Sequence, residues 1–194
     1  MSWINTEHRY GRWTKVFHWL IVGLFAWQYV AGFVMQRMAE GEVVLGLSQD
    51  TLFNWHKSLG LVALAIAILR ILNRRVGSLP NWAPTLTDGE KRFIHRAEQV
   101  LYAAMFVMPV SGFLFVMAGG YGVMLFGHWP LPNPIGKIGW LAALAQGIHI
   151  GAAWCLAAAM LGHIGLVIWH QLVMRDGLIW RMLPGGLGPK TPPR

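Results

Sequence analysis

The chain has 194 residues, a length that suits one domain. Hydrophobic residues make up 55% of it and charged residues only 12%, about half the charged share of an ordinary soluble protein. A chain of this size could not bury so much apolar surface in one aqueous core, so we expect a lipid bilayer to be its solvent. The net charge of +8 does not indicate a nucleic-acid partner, because the basic residues flank long apolar runs and form no single patch. The single cysteine, Cys155, excludes an internal disulfide and a cysteine-ligated metal cluster.

Four apolar stretches are long enough to cross a bilayer, which takes about 20 residues. They predict membrane helices at 16–36, 52–73, 97–118 and 138–174. The glycine-rich segment 119–122 and the prolines that follow it end the third helix. We therefore predict an all-α fold, an integral membrane four-helix transmembrane bundle. It forms one domain, 1–183, followed by a flexible Pro/Gly-rich tail, 184–194.

The basic residues are unevenly divided between the two sides of the predicted membrane. One side holds the N-terminal segment, the connection between the second and third helices, and the C-terminal segment, which together carry most of the arginines and lysines. The other side holds only Arg37, Lys57 and Lys137. The positive-inside rule therefore predicts a multi-pass membrane protein with both termini in the cytoplasm.

Histidines inside the apolar stretches are the strongest functional signal, because an ionisable group in a membrane helix is costly. The alternative for any one of them is a side chain hydrogen-bonded to a neighbouring helix. His149 and His163 lie 14 residues apart, so they share a helix face and are separated by about 21 Å along the axis. Depth in the membrane then pairs His18 with His163 and His56 with His149. Two such pairs suit two haems, each with bis-imidazole ligation and, since no C-x-x-C-H motif is present, without covalent attachment.

Other residues of the same helices fit this interpretation. Arg70 follows His56 by 14 residues and shares its face at the cytoplasmic depth, where it could pair with a haem propionate. Equally, Arg70 could be a snorkelling residue that begins the basic connection. Gly60, Gly162 and Gly165 near the histidines would give a flat macrocycle clearance, although glycine is also common in ordinary membrane helix packing.

Several segments together resemble the bacterial cytochrome b561 family, a four-helix di-haem group that is also similar to the cytochrome b subunits of nickel–iron hydrogenases and formate dehydrogenases. The matching segments are 9–10 with 17–20, 54–60 with Arg70, 95–102 with 108–112, the pair His149 and His163, and 175–177 with 181–184. The resemblance implies two b-type haems whose iron is ligated by His18, His56, His149 and His163. Family members often carry a second histidine three residues after the one that matches His95, and here that position is Glu98.

The expected function is electron transfer to or from the quinone pool, with ubiquinone as the partner in the bilayer. His95 and His170 lie near cytoplasmic helix ends, where each is a candidate for a quinone or proton-relay site or else a plain interfacial histidine. No nucleotide-binding motif is present, so the other partner should be a small diffusible species or a periplasmic redox protein. The resemblance suggests one specific form, a superoxide:ubiquinone oxidoreductase of the respiratory chain, in which Lys57 beside His56 would attract the anion.

Two other classes of function stay open at this level. The chain could be the cytochrome b membrane-anchor subunit of a larger hydrogenase or dehydrogenase complex. It could also be a non-redox transporter or assembly factor that uses its histidines to bind metal. Whether the chain acts alone as an oxidoreductase is not decided by its sequence.

Overall fold

The computed structural model describes residues 2–184. It contains four long helices, α1 (Arg12–Met35), α2 (Gln49–Arg75), α3 (Asp88–Ala118) and α4 (Gly139–Trp169). All four are long and apolar enough to cross a membrane. A π-helical turn, His170–Met174, continues α4, and a short 3₁₀ helix, Leu178–Arg181, follows it. The all-α class and the four predicted spans are thereby confirmed.

Helix α3 begins well before the predicted residue 97, at Asp88. A capping box explains this start. The Thr87 hydroxyl accepts a hydrogen bond from the Glu90 amide at 3.3 Å, and the Glu90 carboxylate accepts one from the Thr87 amide at 2.8 Å. The first turns of α3 are polar, so a hydropathy pattern detects only the apolar part of this helix.

Two small antiparallel hairpins lie in the connections and were not predicted. One joins β1 (Val43–Val44) to β2 (Leu47–Ser48), and the other joins β3 (Met124–Leu125) to β4 (Trp129–Pro130). The first turns through Leu45 and Gly46, with φ of 52° and 79°. Strands of two residues are too short to show the alternating pattern by which a strand is recognised in a sequence.

The chain divides into two compact units. Unit 1 comprises Met1–Trp19, Ile68–Ala103 and Trp154–Arg194, and unit 2 comprises Leu20–Ala67 and Ala104–Ala153. Each of the four helices contributes one segment to each unit. That residues 1–183 form a single domain stays a prediction. The predicted flexible tail, 184–194, lies outside the described residues except for Pro184.

Each unit is stabilised internally by a different kind of interaction. In unit 1 the buried Asn5 side chain accepts hydrogen bonds from the Gly11 amide at 2.8 Å and the Thr14 hydroxyl at 2.7 Å, and Asn73 donates to Thr14 at 2.8 Å. Unit 2 contains two apolar clusters of buried residues: Ala31, Met35, Met38 and Leu52; and Val116, Met117 and Val123. In unit 2 the hairpin β3–β4 is attached to α2, because the buried Ser58 hydroxyl accepts a hydrogen bond from the Phe126 amide at 2.8 Å.

Candidate haem-binding sites

Unit 1 brings His18 of α1 and His163 of α4 together. Their ring centres are 6.3 Å apart with the ring planes at 64°, and both side chains are half-buried. A metal held between two imidazoles needs about 2 Å to each nitrogen plus roughly 1 Å from that nitrogen to the ring centre, which makes about 6 Å in all. The separation of the two rings therefore fits a single iron between them. Arg70 of α2 interacts electrostatically with both rings.

Unit 2 brings His56 of α2 and His149 of α4 together. Their ring centres are also 6.3 Å apart, with the ring planes at 76°. Nδ1 of His149 lies 2.9 Å from the carbonyl oxygen of Met108, so a proton on Nδ1 fixes the ring and leaves Nε2 free to bind a metal. Nδ1 of His56 is buried without a hydrogen-bond partner among the described residues, an unsatisfied polar atom of the kind that marks a site for a missing group.

Glycines control how closely the helices approach these rings. A Cβ at Gly112 would lie 3.0 and 3.1 Å from atoms of the His149 ring, so any larger residue would press on the ring. A Cβ at Gly32 would lie 3.8 Å from the His56 ring, which is an ordinary contact. Gly112 lies in the matching segment 108–112 but was given no role, and Gly32 was not noted, because nothing in the sequence shows that α1 and α3 face these histidines.

The three glycines predicted to give a macrocycle clearance differ in their surroundings. Of the three, only Gly165 has open space beside it, because a Cβ built there would meet no atom within 4 Å. A Cβ at Gly162 would collide with the Phe93 ring at 2.8 Å, and one at Gly60 would contact Gln28 Nε2 at 3.5 Å. Gly162 therefore makes room for the Phe93 ring, whereas a Cβ at Gly60 would make an ordinary contact, and the haem-clearance role of these glycines stays a prediction.

The donor set fits haem better than a bare metal ion. No group of three or more His, Cys, Asp or Glu side chains within residues 2–184 is placed to hold a metal. Haem iron already has four porphyrin nitrogens and needs only two axial ligands from the protein. Each unit offers two imidazoles at the required separation, whereas a metal ion without a macrocycle would need more ligands.

Arg70 has a partner within the protein. Its Nε donates a hydrogen bond to the Tyr102 hydroxyl at 3.3 Å, and its guanidinium lies 5.3 Å from the centre of the Tyr102 ring. Arg74, one turn later, is also 5.3 Å from that ring centre and forms an ion pair with both carboxylate oxygens of Glu98. Glu98, three residues after His95, is thus the acidic half of an ion pair. Pairing of Arg70 with a propionate stays a prediction.

The remaining candidates lie in unlike surroundings. His95 is exposed on α3, with its Nε2 3.3 Å from Gln99 Nε2. Lys57 is half-buried, and its Nζ donates a hydrogen bond to the carbonyl oxygen of Gly122 at 3.1 Å. His170 has no exposed surface at all. Their roles stay predictions; His95 is exposed and Lys57 is partly exposed, whereas His170 is closed to a ligand from outside.

Two carboxylates enclose His170. Its Nδ1 is 2.7 Å from Asp176 Oδ2, and its Nε2 is 3.2 Å from Glu90 Oε1. Asp176 also accepts hydrogen bonds from the Thr85 hydroxyl at 2.5 Å and the Leu178 amide at 3.0 Å. Burial raises the pKa of the Asp176 carboxyl, but the hydrogen bonds from Thr85, His170 and Leu178 lower it by more, so the net pKa lies below its usual value.

Comparisons with known proteins identify the family of the chain. The profile of a family described as prokaryotic cytochrome b561 matches residues 9–185. Cytochrome b561 homolog 2 of Escherichia coli is 25% identical over 183 residues, 94% of this chain and 95% of the relative. Cytochrome b562 of Cereibacter sphaeroides is 26% identical over 181 residues, 93% of this chain and 98% of the relative. The chain therefore belongs to the prokaryotic cytochrome b561 family, membrane cytochromes that bind b-type haem and transfer electrons.

Proposed function

We propose that the protein is a two-haem cytochrome of the bacterial inner membrane that exchanges electrons with the quinone pool. The observation that supports two haems is the presence of one histidine pair in each unit at the same ring separation of 6.3 Å. His18 and His163 would ligate one iron, and His56 and His149 the other. Haem, when bound, supplies reversible one-electron chemistry at a potential that the surrounding protein sets.

The protein's own contribution is to orient the ligands and adjust the local charge. The Met108 carbonyl oxygen, with Ser111 nearby, would hold the His149 ring in the tautomer that presents Nε2. In unit 1 the positive charge of Arg70 favours reduction, because the reduced form of a haem carries one positive charge fewer than the oxidised form. We assign to Arg70 a propionate as its second partner besides Tyr102.

Ubiquinone is the proposed partner in the bilayer. A quinone takes up two protons with two electrons, so a titratable side chain has to reach its headgroup. His95 is the better candidate because it is exposed and contacts only Gln99 in the described hydrogen-bond network. His170 is the second candidate, and its two ring nitrogens already engage Asp176 and Glu90. We therefore assign proton exchange to His95 and a positioning role to His170.

A specific form of this function takes superoxide as the electron donor. Two superoxide anions, one quinone and two protons would give two molecules of O₂ and one quinol. The supporting feature is Lys57, the residue directly after His56 in the sequence. Its ammonium group donates a hydrogen bond to the Gly122 carbonyl oxygen in unit 2. A fixed positive charge beside a redox centre increases the local concentration of an anionic substrate. In this proposal both termini are cytoplasmic, and Lys57 lies at the periplasmic end of α2.

The test is electron transfer by the purified, haem-loaded protein in detergent or liposomes. Ubiquinol formation would be followed with superoxide, with reduced periplasmic redox proteins, and with no donor. Superoxide-dependent ubiquinol formation that falls in Lys57→Gln supports the specific form. No electron exchange with ubiquinone from any donor contradicts the quinone-linked function. Co-purification with a soluble dehydrogenase subunit that restores the activity would favour the role of a membrane anchor.

A further inference from the structure

A cavity of about 370 Å³ lies in unit 1 where the last turns of α2 meet α3. Its lining is mixed: Ile71 and Leu79 are apolar, whereas Arg74, Arg75 and Tyr102 carry hydrogen-bond donors. The electron-transfer proposal does not use this cavity. None of its lining residues is a proposed haem ligand, and neither His95 nor His170 belongs to it.

The charge at the cavity is positive and incompletely neutralised. Glu98 pairs with Arg74, whereas Arg75 is exposed. Within residues 2–184, Arg75 forms no ion pair or side-chain hydrogen bond. The two guanidinium groups of the lining, Arg74 and Arg75, thus face one carboxylate, that of Glu98. A site of this composition favours an anion over a neutral ligand.

Hydrogen-bond donors at the cavity remain available for that anion. The Tyr102 hydroxyl accepts a hydrogen bond from Arg70 Nε at 3.3 Å, so its own hydrogen is free to be donated elsewhere. The planar guanidinium of Arg75 can donate two parallel hydrogen bonds to the oxygens of one phosphate group. A phenol and a guanidinium beside one cavity are therefore complementary to phosphate.

The apolar part of the lining indicates that the anion is attached to a hydrophobic body. Ile71 precedes the two arginines on α2, a helix apolar enough to cross a membrane, and Leu79 follows them in the connection. Basic cavities between membrane helices at the headgroup level are suited to anionic lipids, whose phosphate faces the arginines and whose chains contact the apolar residues.

We propose that this cavity binds the phosphate group of an anionic phospholipid, through Arg75 and Tyr102, with Arg74 adding positive charge. The ligand is thus a structural lipid and not a redox substrate. The proposal does not depend on the proposed quinone function, because it concerns other residues and a binding equilibrium.

The test is native mass spectrometry of the full-length, haem-loaded protein released from detergent after incubation with lipid. Phosphatidylglycerol and phosphatidylcholine of equal chain length are compared in the parent protein, Arg75→Gln and Arg92→Gln. Arg92 is the matched control, an exposed arginine of unit 1 that does not line the cavity. We expect Arg75→Gln to weaken phosphatidylglycerol binding about five-fold and Arg92→Gln to leave it unchanged. Tyr102→Phe, which keeps the ring, should also weaken it.

Inorganic phosphate and diacylglycerol separate the possible sources of affinity. Competition by millimolar phosphate that depends on Arg75 would assign the site to a soluble anion and overturn the assignment to lipid. If phosphatidylglycerol stays bound and millimolar phosphate does not compete with it, the cavity is assigned to lipid. Equal binding of phosphatidylglycerol and phosphatidylcholine, equal loss in the Arg75 and Arg92 variants, or diacylglycerol binding as tight as that of phosphatidylglycerol would overturn the proposal.

Discussion

At the scale of single residues, the tightest packing against a proposed haem ligand is at Gly112, next to His149. A methyl group at this position would lie 3.0 and 3.1 Å from His149 ring atoms, closer than about nine in ten real Cβ contacts. We predict that Gly112→Ala displaces the His149 ring and loses the haem of unit 2, at a cost of about 1–3 kcal/mol for overpacking. The matched control is Gly32→Ala, whose methyl group would make an ordinary 3.8 Å contact with the His56 ring.

The measurement is the haem content of both variants by the pyridine haemochrome assay, together with a redox titration. Gly112→Ala should retain one haem, and Gly32→Ala should match the parent protein. Full retention of haem with unchanged potentials in Gly112→Ala would show that the His149 ring is not held in a fixed position by α3.

Substitution of Arg70 distinguishes a residue that influences the haem from one that only anchors α2. Its contacts lie within unit 1, so we predict that Arg70→Leu lowers the potential of the His18/His163 haem, by an interaction energy of about 1 kcal/mol. Arg70→Lys should recover part of the shift, because it restores the charge without the fork-shaped donor geometry. The second haem provides the internal reference in the same titration. Unchanged potentials in both variants would leave Arg70 the role of anchoring α2 through Tyr102.

At the scale of elements, the cluster of His170, Glu90 and Asp176 connects the end of α4 to the first turn of α3. A ring whose two nitrogens face two carboxylates donates to both only when both nitrogens carry protons. Removal of the ring leaves two carboxylates without their shared partner, one of them almost fully buried. We predict that His170→Ala lowers the free energy of unfolding by about 1–3 kcal/mol, because Asp176 keeps its hydrogen bonds from Thr85 and Leu178. His95→Ala, at an exposed position of α3, should change it little.

Thermal unfolding of the haem-loaded variants, followed by circular dichroism, tests this prediction. His170→Gln serves as a second variant, since its amide can donate to only one of the two carboxylates at a time. Equal unfolding temperatures for the His170 and His95 variants would show that the cluster does not stabilise this end of α4.

Asp176 gives the same cluster a dependence on pH. Its pKa is lowered in the folded protein, so at low pH the unfolded chain binds a proton that the folded chain resists. The stabilisation is therefore present above the pKa of the unfolded carboxyl, about 4, and is lost as the pH falls through the lower folded pKa. We predict that acidification below about pH 4 lowers the unfolding temperature of the parent protein more than that of Asp176→Asn. Parallel pH profiles of the unfolding temperature in the parent protein and in Asp176→Asn would contradict the assignment of this stabilisation to Asp176. The other carboxyls titrate in both proteins, so the difference between the two profiles removes their contribution.

The extent to which the sequence predicts each element follows from the range of the interactions involved. The four spans depend on local hydropathy, and each is recognised from its own stretch of sequence. The start of α3 depends on a capping box in polar sequence, and the hairpins on strands of two residues. The cluster around His170 joins residues from 85 to 178, none of which signals its partners. Such long-range contacts require the fold.

At the scale of the whole molecule, the histidine pairs show both how far the sequence reaches and where it stops. Depth along the helices predicts which histidines meet, because helix rise and direction fix the level of each residue. It gives no indication of Gly112 or of the Met108 carbonyl oxygen, which depend on which face of α3 packs beside His149. Ion pairs such as Arg74 with Glu98 depend likewise on the packing of α2 and α3 within unit 1.

The pairing of the histidines leads to the broadest prediction, that each chain binds two non-covalent b-type haems. Substitution of either histidine of a pair should lose the haem of that pair. His18→Ala and His163→Ala should abolish the same redox transition, and His56→Ala and His149→Ala the other, because each pair shares one iron between rings 6.3 Å apart. Truncation also leaves a cavity, so a variant that unfolds would lose both haems. His8→Ala controls for the loss of a histidine outside the helices, and retention of the second transition shows that the protein is folded. Loss of one common transition in His18→Ala and His56→Ala, with the other transition intact, would contradict the pairing, and a single haem per chain in the parent protein would contradict the stoichiometry.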